Sequence, residues 1–372
     1  IAQIHHNIIA GVVPAAMQAE VTEKVDTLLA EISTILTSIE GIENLSSKDM
    51  DLVVSYGERM SSIIMAAVLN AQWWNSLDLI KTQQGAHKNV LDQATTYALL
   101  QNKKDNLAPV TVMGGFISTD SQSGEVSNLG RGGSDYTACL IGAALQVEEI
   151  QIWTDIDGMH NNDPRYVKGT TPVHQLHFAE AAELAYFGAK ILHPTCIQPA
   201  KFSGVPVRLL NTMDPEAHGT IINNDFHEGK IKAVAARDGN TCIRINSSRM
   251  LLAYGFLRKV FEIFETYRTS IDMICTSEVG VSLTIDNTAH LADIVSELKK
   301  YGTVSVEENM CIICVVGDLR PENCGFESVA CDALREIPVR MISYGGSNHN
   351  ISFVVKAEDK QRTLQSLQDI LF

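Results

Sequence analysis

No apolar run in the sequence approaches the ~18 residues a bilayer-spanning helix needs, which excludes a membrane-spanning helix. Positive charge is also scarce: 29 Lys and Arg stand against 44 Asp and Glu, a formal net charge of −15. Without a Lys/Arg block there is no basic footprint for a phosphate backbone, so nucleic acid is excluded as a general partner and small molecules are expected. A disulfide framework is missing too. The eight cysteines are scattered from 139 to 331 and read as ordinary apolar residues of a reducing compartment. Cys311 and Cys314 form a C-x-x-C, but they fall in the apolar run from Met310 to Val316, which reads as a strand. Residues three apart on a strand face opposite sides, so this pair does not converge on a metal. His174, His177 and Glu180 lack a fourth ligand at matching spacing, and no metal site is assigned. There is no initiator methionine and no signal-peptide pattern. The chain starts at Ile1 inside a helical pattern, so an upstream targeting segment stays open, while the reduced cysteines lead to the expectation of a cytoplasmic protein.

What is present points to an enzyme-sized, soluble chain. Its 372 residues suggest two or three domains, with 45% hydrophobic and 20% charged residues. The most informative stretch is Asn128-Leu129-Gly130-Arg131-Gly132-Gly133-Ser134-Asp135, with Gly114-Gly115-Phe116 before it and a helical run from Tyr136 to Val147 after it. Glycines let backbone approach an anion, and a helix N-terminus favours negative charge, so this reads as a phosphate site. A tight strand-to-helix connection without ligand is the alternative. Arg131, Arg165 and Lys190 are the cations to watch if the ligand is anionic.

Along the chain, apolar residues from Val21 to Ile39 recur at spacings of three and four, so residues 1 to 41 read as helices. A second long helix runs from Ser46-Ser47 to about Ala71 and contains Gly57, expected to allow a close approach, and Glu58, which reads as a ligand contact or a solvated glutamate. Gln72 to Leu77 reads as a short strand or turn, Gln83 to Ala86 as a loop, Asn89 to Gln101 as a helix, and Pro109 to Met113 as a buried strand. Glu149 to Asp155 forms another strand and completes an α/β unit, whose ligands gather beyond strand C-termini. Phe178 to Phe187 reads as a helix, Ile191 to Pro194 as a helix restart, and Val205 to Leu210 as a final strand. After a polar connector near 222 to 232 comes an internal repeat. Gly255-Phe256-Leu257 and Gly325-Phe326-Glu327 each open a helix followed by two strands, which suggests two βαββαβ-like modules.

Taken in order, Gly114 to Ile117, Leu129 to Asp135, Trp153 to Gly158, Asp163-Pro164-Arg165 and Gly188 to Pro194 resemble the motifs of the aspartokinases. Ser55-Tyr56-Gly57-Glu58 resembles the same family's helix motif, and the repeat resembles the tandem ACT domains of its lysine-regulated form. The resemblance implies an α/β, amino-acid-kinase-type three-layer sandwich over 1–228, followed by two α+β, ferredoxin-like ACT modules over 229–372. The first module would span about 241–303 and the second 229–240 plus 304–372. A Lys-Phe-Gly-Gly-Thr-Ser segment, whose lysine stabilises the transferred phosphate in the family, does not occur in this sequence, so the sandwich is expected to be N-terminally incomplete, without its first strand. Asn128, Ser118 and His160 are departures where the family has threonine, glycine and tyrosine.

The resemblance also implies roles. Glu58, Arg131 and Ser134 would bind L-aspartate, the glutamate taking its ammonium and the arginine a carboxylate. Asp135, with Arg131, would organise phosphoryl transfer from ATP with Mg²⁺. Thr154, Asp155, His160, Arg165 and Lys190 would line the nucleotide pocket. Met250, Gly255, Phe256, Leu257, Asp272, Thr276, Ser277 and Glu278 would form an effector site, with Asp272 as counter-charge for the ammonium of an L-lysine inhibitor. Arg340 takes the corresponding place in the second module, so only the first would bind this effector. The implied enzyme phosphorylates the aspartate side chain, the first step of lysine, threonine, methionine and diaminopimelate biosynthesis. It would be a homodimer through its ACT modules, or a tetramer built from that dimer. A catalytically silent, lysine-sensing amino-acid-binding protein is the alternative, and a glutamate or uridylate kinase is disfavoured because the loop and the repeat occur together.

Overall fold

The computed structural model describes all residues except 43, 86–88, 189–194 and 248–253. Its contacts divide the chain into two units, Ile1–Ile152 with Thr195–Val207, and Trp153–Pro194 with Arg208–Phe372.

The first unit opens on three helices, α1 (Ala2–Val12), α2 (Ala15–Ser38) and α3 (Ser47–Val68). Their apolar stripes meet in a core that includes Ile9, Val21, Val25, Leu28, Tyr56, Met60 and Ile64. Ser46 and Asp49 cap α3 reciprocally, satisfying amides that the helix itself leaves unpaired. The chain continues through β1 (Gln72–Trp74), α4 (Ser76–Leu79), β2 (Lys81–Gln84), β3 (Asn89–Leu91), α5 (Gln93–Lys103), β4 (Thr111–Met113), β5 (Ile117–Asp120), β6 (Val126–Asn128) and α6 (Gly133–Leu145). β1 pairs with β4 in parallel, and a separate sheet has the order β3-β2-β5-β6.

Three sequence expectations are corrected in this unit. Residues 83 and 84, read as loop, belong to β2, and Asn89–Leu91, read as helix, forms β3 antiparallel to it. The helix starts only after Asp92, whose carboxylate accepts from the Thr95 amide at 3.1 Å. Gly57 does not admit a close neighbour, for a Cβ there would meet nothing within 4 Å.

β7 (Ile150–Thr154), β8 (Gln175–His177), α7 (Phe178–Tyr186), α8 (Gln198–Ser203), β9 (Val207–Asn211) and β10 (Thr220–Asn223) follow. Their four strands have the order β7-β9-β10-β8, so β9 is not the last strand before the connector. The helix expected to restart at Ile191–Pro194 lies outside the described residues.

The remainder of the second unit is built on two long strands, β11 (Ile231–Asn246) and β14 (Thr303–Gly317). Between them lie α9 (Phe256–Thr266), β12 (Met273–Thr276), β13 (Gly280–Ile285) and α10 (Leu291–Leu298). After β14 come α11 (Phe326–Ala333), β15 (Met341–Tyr344), β16 (Asn350–Lys356) and α12 (Lys360–Leu371). One six-stranded sheet, β12-β13-β11-β14-β16-β15, serves both modules. The β11–β14 register breaks between Arg237 and Asn240, next to Gly239 at φ 80°. Residues 303–307 pair with the 242–246 end of β11, so the first half of β14 belongs to the first module's sheet rather than opening the second module. Each module has its own apolar core, around Ile243, Phe264 and Leu283 in one and Ile313, Phe353 and Leu364 in the other. Cys311 and Cys314 are both buried in β14, and only Cys311 joins the second core.

Candidate active site

In the first unit the chain leaves β4 through Gly114-Gly115. A Cβ on Gly114 would stand 3.3 Å from the Glu58 carbonyl oxygen and 3.6 Å from its Cβ, and one on Gly115 would stand 2.8 Å from the Ser134 Cα. The two glycines therefore bring α3 and the start of α6 together, with Glu58 on one side and Ser134 on the other. Phe116 follows in the left-handed region at φ 69°, and its amide donates to Thr137 Oγ1 at 3.1 Å. Buried Ser76 fixes the same segment by donating its hydroxyl to the Gly114 carbonyl.

The loop that follows β6 turns on Gly130 and Gly132, at φ 75° and 70°, and delivers Asp135 into the first turn of α6. Cys196 Sγ donates to the Gly132 carbonyl at 3.1 Å. The Glu58, Arg131 and Asp135 side chains have no hydrogen-bond or ion-pair partner among the described residues. Burial raises both carboxyls above the usual carboxylate range. Arg131 and Ser134 are exposed. Among the described residues this unit thus presents an unpaired guanidinium and two unpaired carboxylates around a glycine-lined helix start, groups that can meet a carboxylate and an ammonium of one ligand.

A cavity of about 520 Å³ lies in the second unit, a size within the usual range for small-molecule sites. Thr154, Asp155, His160 and Arg165 line it together with Asp157, Asp163 and the Val234–Ala236 segment of β11. Thr154 Oγ1 donates to Asp155 Oδ1 at 3.1 Å, and His160 Nε2 lies 2.9 Å from Asp157 Oδ1. The Arg165 guanidinium forks onto Asp163, at 2.9 and 2.7 Å, and its side chain is 74% exposed. Although burial works to raise the Asp163 carboxyl, Arg165 holds it below the usual range. Gly158 passes tightly by Thr220, and Gly188 lies directly against the Ala236 carbonyl. Sequence reading missed the β11 wall entirely. The small residues of Ala233–Ala236 were the one available sign. Lys190 falls outside the described residues.

At the expected effector site, Gly255 caps α9 at φ 80° and Phe256 is buried in the first module's core. Leu257 packs against that core, while Thr276, Ser277 and Glu278 are exposed at the β12–β13 turn. Asp272 is not an open counter-charge. Its side chain is 2% exposed, with Oδ1 accepting from Arg237 at 3.0 Å and from the Tyr186 hydroxyl at 3.1 Å. Its Oδ2 is buried without a hydrogen-bond partner among the described residues. Arg237 also pairs with Asp286 and lies over the Tyr186 ring, 5.3 Å from its centroid. Met250 falls outside the described residues.

Residues 2–211 match the amino acid kinase family and residues 313–371 match an ACT domain. Lysine-sensitive aspartokinase 3 of Escherichia coli K12 is 34% identical over 368 residues, spanning 95% of this chain and 81% of that relative. The chain belongs to the aspartokinase family. Chloroplastic aspartokinase 1 of Arabidopsis thaliana is 37% identical over 369 residues, which span 93% of this chain and 64% of the relative's length. The crystal structure of E. coli aspartokinase III in complex with aspartate and ADP (R-state) matches with a TM-score of 0.81 at 33% identity, covering 94% of this chain and 81% of that one. The complex of the same enzyme with lysine and aspartate (T-state) matches at 0.79 and 34%, covering 96% and 82%. The fold is thus the α/β amino acid kinase fold followed by a C-terminal ACT regulatory region, and the family activity is that of a phosphotransferase, aspartate kinase.

Proposed function

We propose that the chain transfers the γ-phosphoryl group of ATP to the side-chain carboxylate of L-aspartate, and that L-lysine inhibits this reaction through the first ACT module. The observation that carries the substrate assignment is the set of unpartnered charges at the glycine-lined helix start, Glu58, Arg131 and Asp135. Glu58 takes the substrate ammonium and Arg131 a carboxylate in bidentate geometry, while Ser134 offers a hydroxyl at the helix N-terminus. Asp135 orients the transferring group. The attacking carboxylate is already ionised, so positioning and charge stabilisation supply the catalysis.

ATP is assigned to the cavity lined by Thr154, Asp155, His160 and Arg165, with Lys190 as a further cation. Mg²⁺ fits the donor chemistry there. Asp155 and Asp157 line the cavity and would offer carboxylate oxygens to the ion, the rest of its shell coming from phosphate and water. When bound, Mg²⁺ would neutralise phosphate charge. For the effector, Asp272 is the proposed ammonium counter-charge, and because it is enclosed and paired with Arg237 it would have to exchange that partner for the lysine ammonium. Gly255, Phe256, Leu257, Met250 and Thr276 to Glu278 would supply the remaining contacts. Assembly as a homodimer through the ACT modules is part of the same reading.

The test is a hydroxamate assay on the intact protein with ATP, Mg²⁺ and aspartate, with and without lysine. Aspartyl hydroxamate should form and lysine should suppress it. A folded protein that yields none would sink the kinase assignment, and product formation indifferent to lysine would sink the effector assignment alone.

A further inference from the structure

The departure at Asn128 has a structural counterpart in α3. Asn128 ends β6, and its amide faces two groups of opposite hydrogen-bonding character. Nδ2 donates to Asp51 Oδ1 at 2.6 Å, and Oδ1 accepts from the Gly130 amide at 2.8 Å. Only this orientation of the amide satisfies both neighbours, because a carboxylate can only accept and a backbone N–H can only donate. Asp51 is partly buried, and burial raises its carboxyl even though the Asn128 hydrogen bond opposes the shift. Gly130 immediately precedes Arg131 and sits in the left-handed region at φ 75°.

Asp51 and Glu58 lie seven residues apart on α3, two turns and about 10 Å along its axis, and hence on one face. The same helix face thus carries the proposed ammonium reader and, through Asn128, the anchor of the loop bearing the proposed carboxylate reader. We propose that Asp51 and Asn128 are positioning residues that set the spacing between Glu58 and Arg131, and thereby the fit of the amino-acid substrate. This inference rests on the aspartate kinase reading. An anchored loop holds Arg131 in place before substrate arrives, so less ordering remains to be done on binding. Neither side chain is required to touch the substrate, and the nucleotide cavity lies in the other unit and does not include them.

The pair can be exchanged without losing either hydrogen bond. Asn128→Asp alone sets two carboxylates against each other. Adding Asp51→Asn restores a donor facing an acceptor, and the carboxylate introduced at position 128 still accepts from the Gly130 amide. Steady-state kinetics on the intact protein should show the aspartate KM of N128D raised about tenfold, with the ATP KM and the melting temperature close to wild type. The double variant D51N/N128D should return the aspartate KM to within about twofold of wild type. An unchanged aspartate KM in N128D would overturn the proposal, as would a double variant that fails to recover. A fall in melting temperature with kcat and both KM values disturbed alike would also overturn it, since that is a general loss of structure. If the folded wild type turns over no aspartate, the kinase reading fails first and the positioning role falls with it.

Discussion

Glu58 and Asp135 are carboxylates without side-chain partners among the described residues, where burial disfavours their charge. Their folded-state pKa values are raised above those of the unfolded chain, so the folded protein holds more protons just above the ordinary carboxylate range. Any stability these groups contribute is present at low pH and lost as pH rises through the raised values. Glu58→Gln should therefore flatten the loss of melting temperature as pH rises above the ordinary glutamate range, relative to wild type. The same change should raise the aspartate KM at least tenfold, because the ammonium loses its counter-charge. Aspartate affinity in the wild type should begin to fall, on acidification, at a higher pH than an unperturbed glutamate would give; calorimetric titration across that range measures it. At Arg131 the lysine variant keeps charge but loses the planar fork, and its aspartate KM should rise with little change in that for ATP. The sequence motifs singled these residues out as candidates. Their lack of partners was not, since only the folded chain shows which charges are left over.

Two glycines separate what an element tolerates from what it forbids. Gly57 lies within α3 with open space where a Cβ would go, so Gly57→Ala should stabilise the protein by about 0.5–1 kcal/mol in a denaturant titration. Gly115→Ala meets the Ser134 backbone at 2.8 Å, and the loop must shift. Its kcat/KM for aspartate should drop by more than tenfold. Helices α1 to α3 were legible because their apolar residues repeat at helical spacing over long runs. β2 and β3 were not, because three- and four-residue strands carry too little pattern, and part of their support is the parallel pairing of β2 with β5, more than 30 residues on. Val234 to Ala236 was missed as a cavity wall for the same reason: a contact with Gly188 across nearly 50 residues leaves no local trace.

Across the second unit, Arg237 gathers Asp272, Asp286 and Tyr186 at the β11 register break, beside the cavity-lining residues 234–236. Comparison of the two modules in sequence singled out Asp272 as an effector counter-charge but could not supply its partner 35 residues away. Removing Arg237 would strand a carboxylate that is almost wholly enclosed. Arg237→Met should destabilise the protein by about 3–5 kcal/mol, read from its denaturation midpoint. Asp272→Asn, which keeps the shape, should weaken lysine inhibition with a smaller loss of stability. Unaltered inhibition in that variant would place the effector elsewhere.

The path of β11 also bears on how this protein can be dissected. The polar connector near 222–232 invites a cut that would free a minimal catalytic fragment from its sensor. Such a fragment, residues 1–228, would take with it Thr154 to Arg165 but leave behind Val234, Ala235 and Ala236, a side of the cavity proposed for the nucleotide. The half that carries the ACT region thus supplies part of the wall of that cavity. Deregulated variants are better sought by point substitution than by truncation.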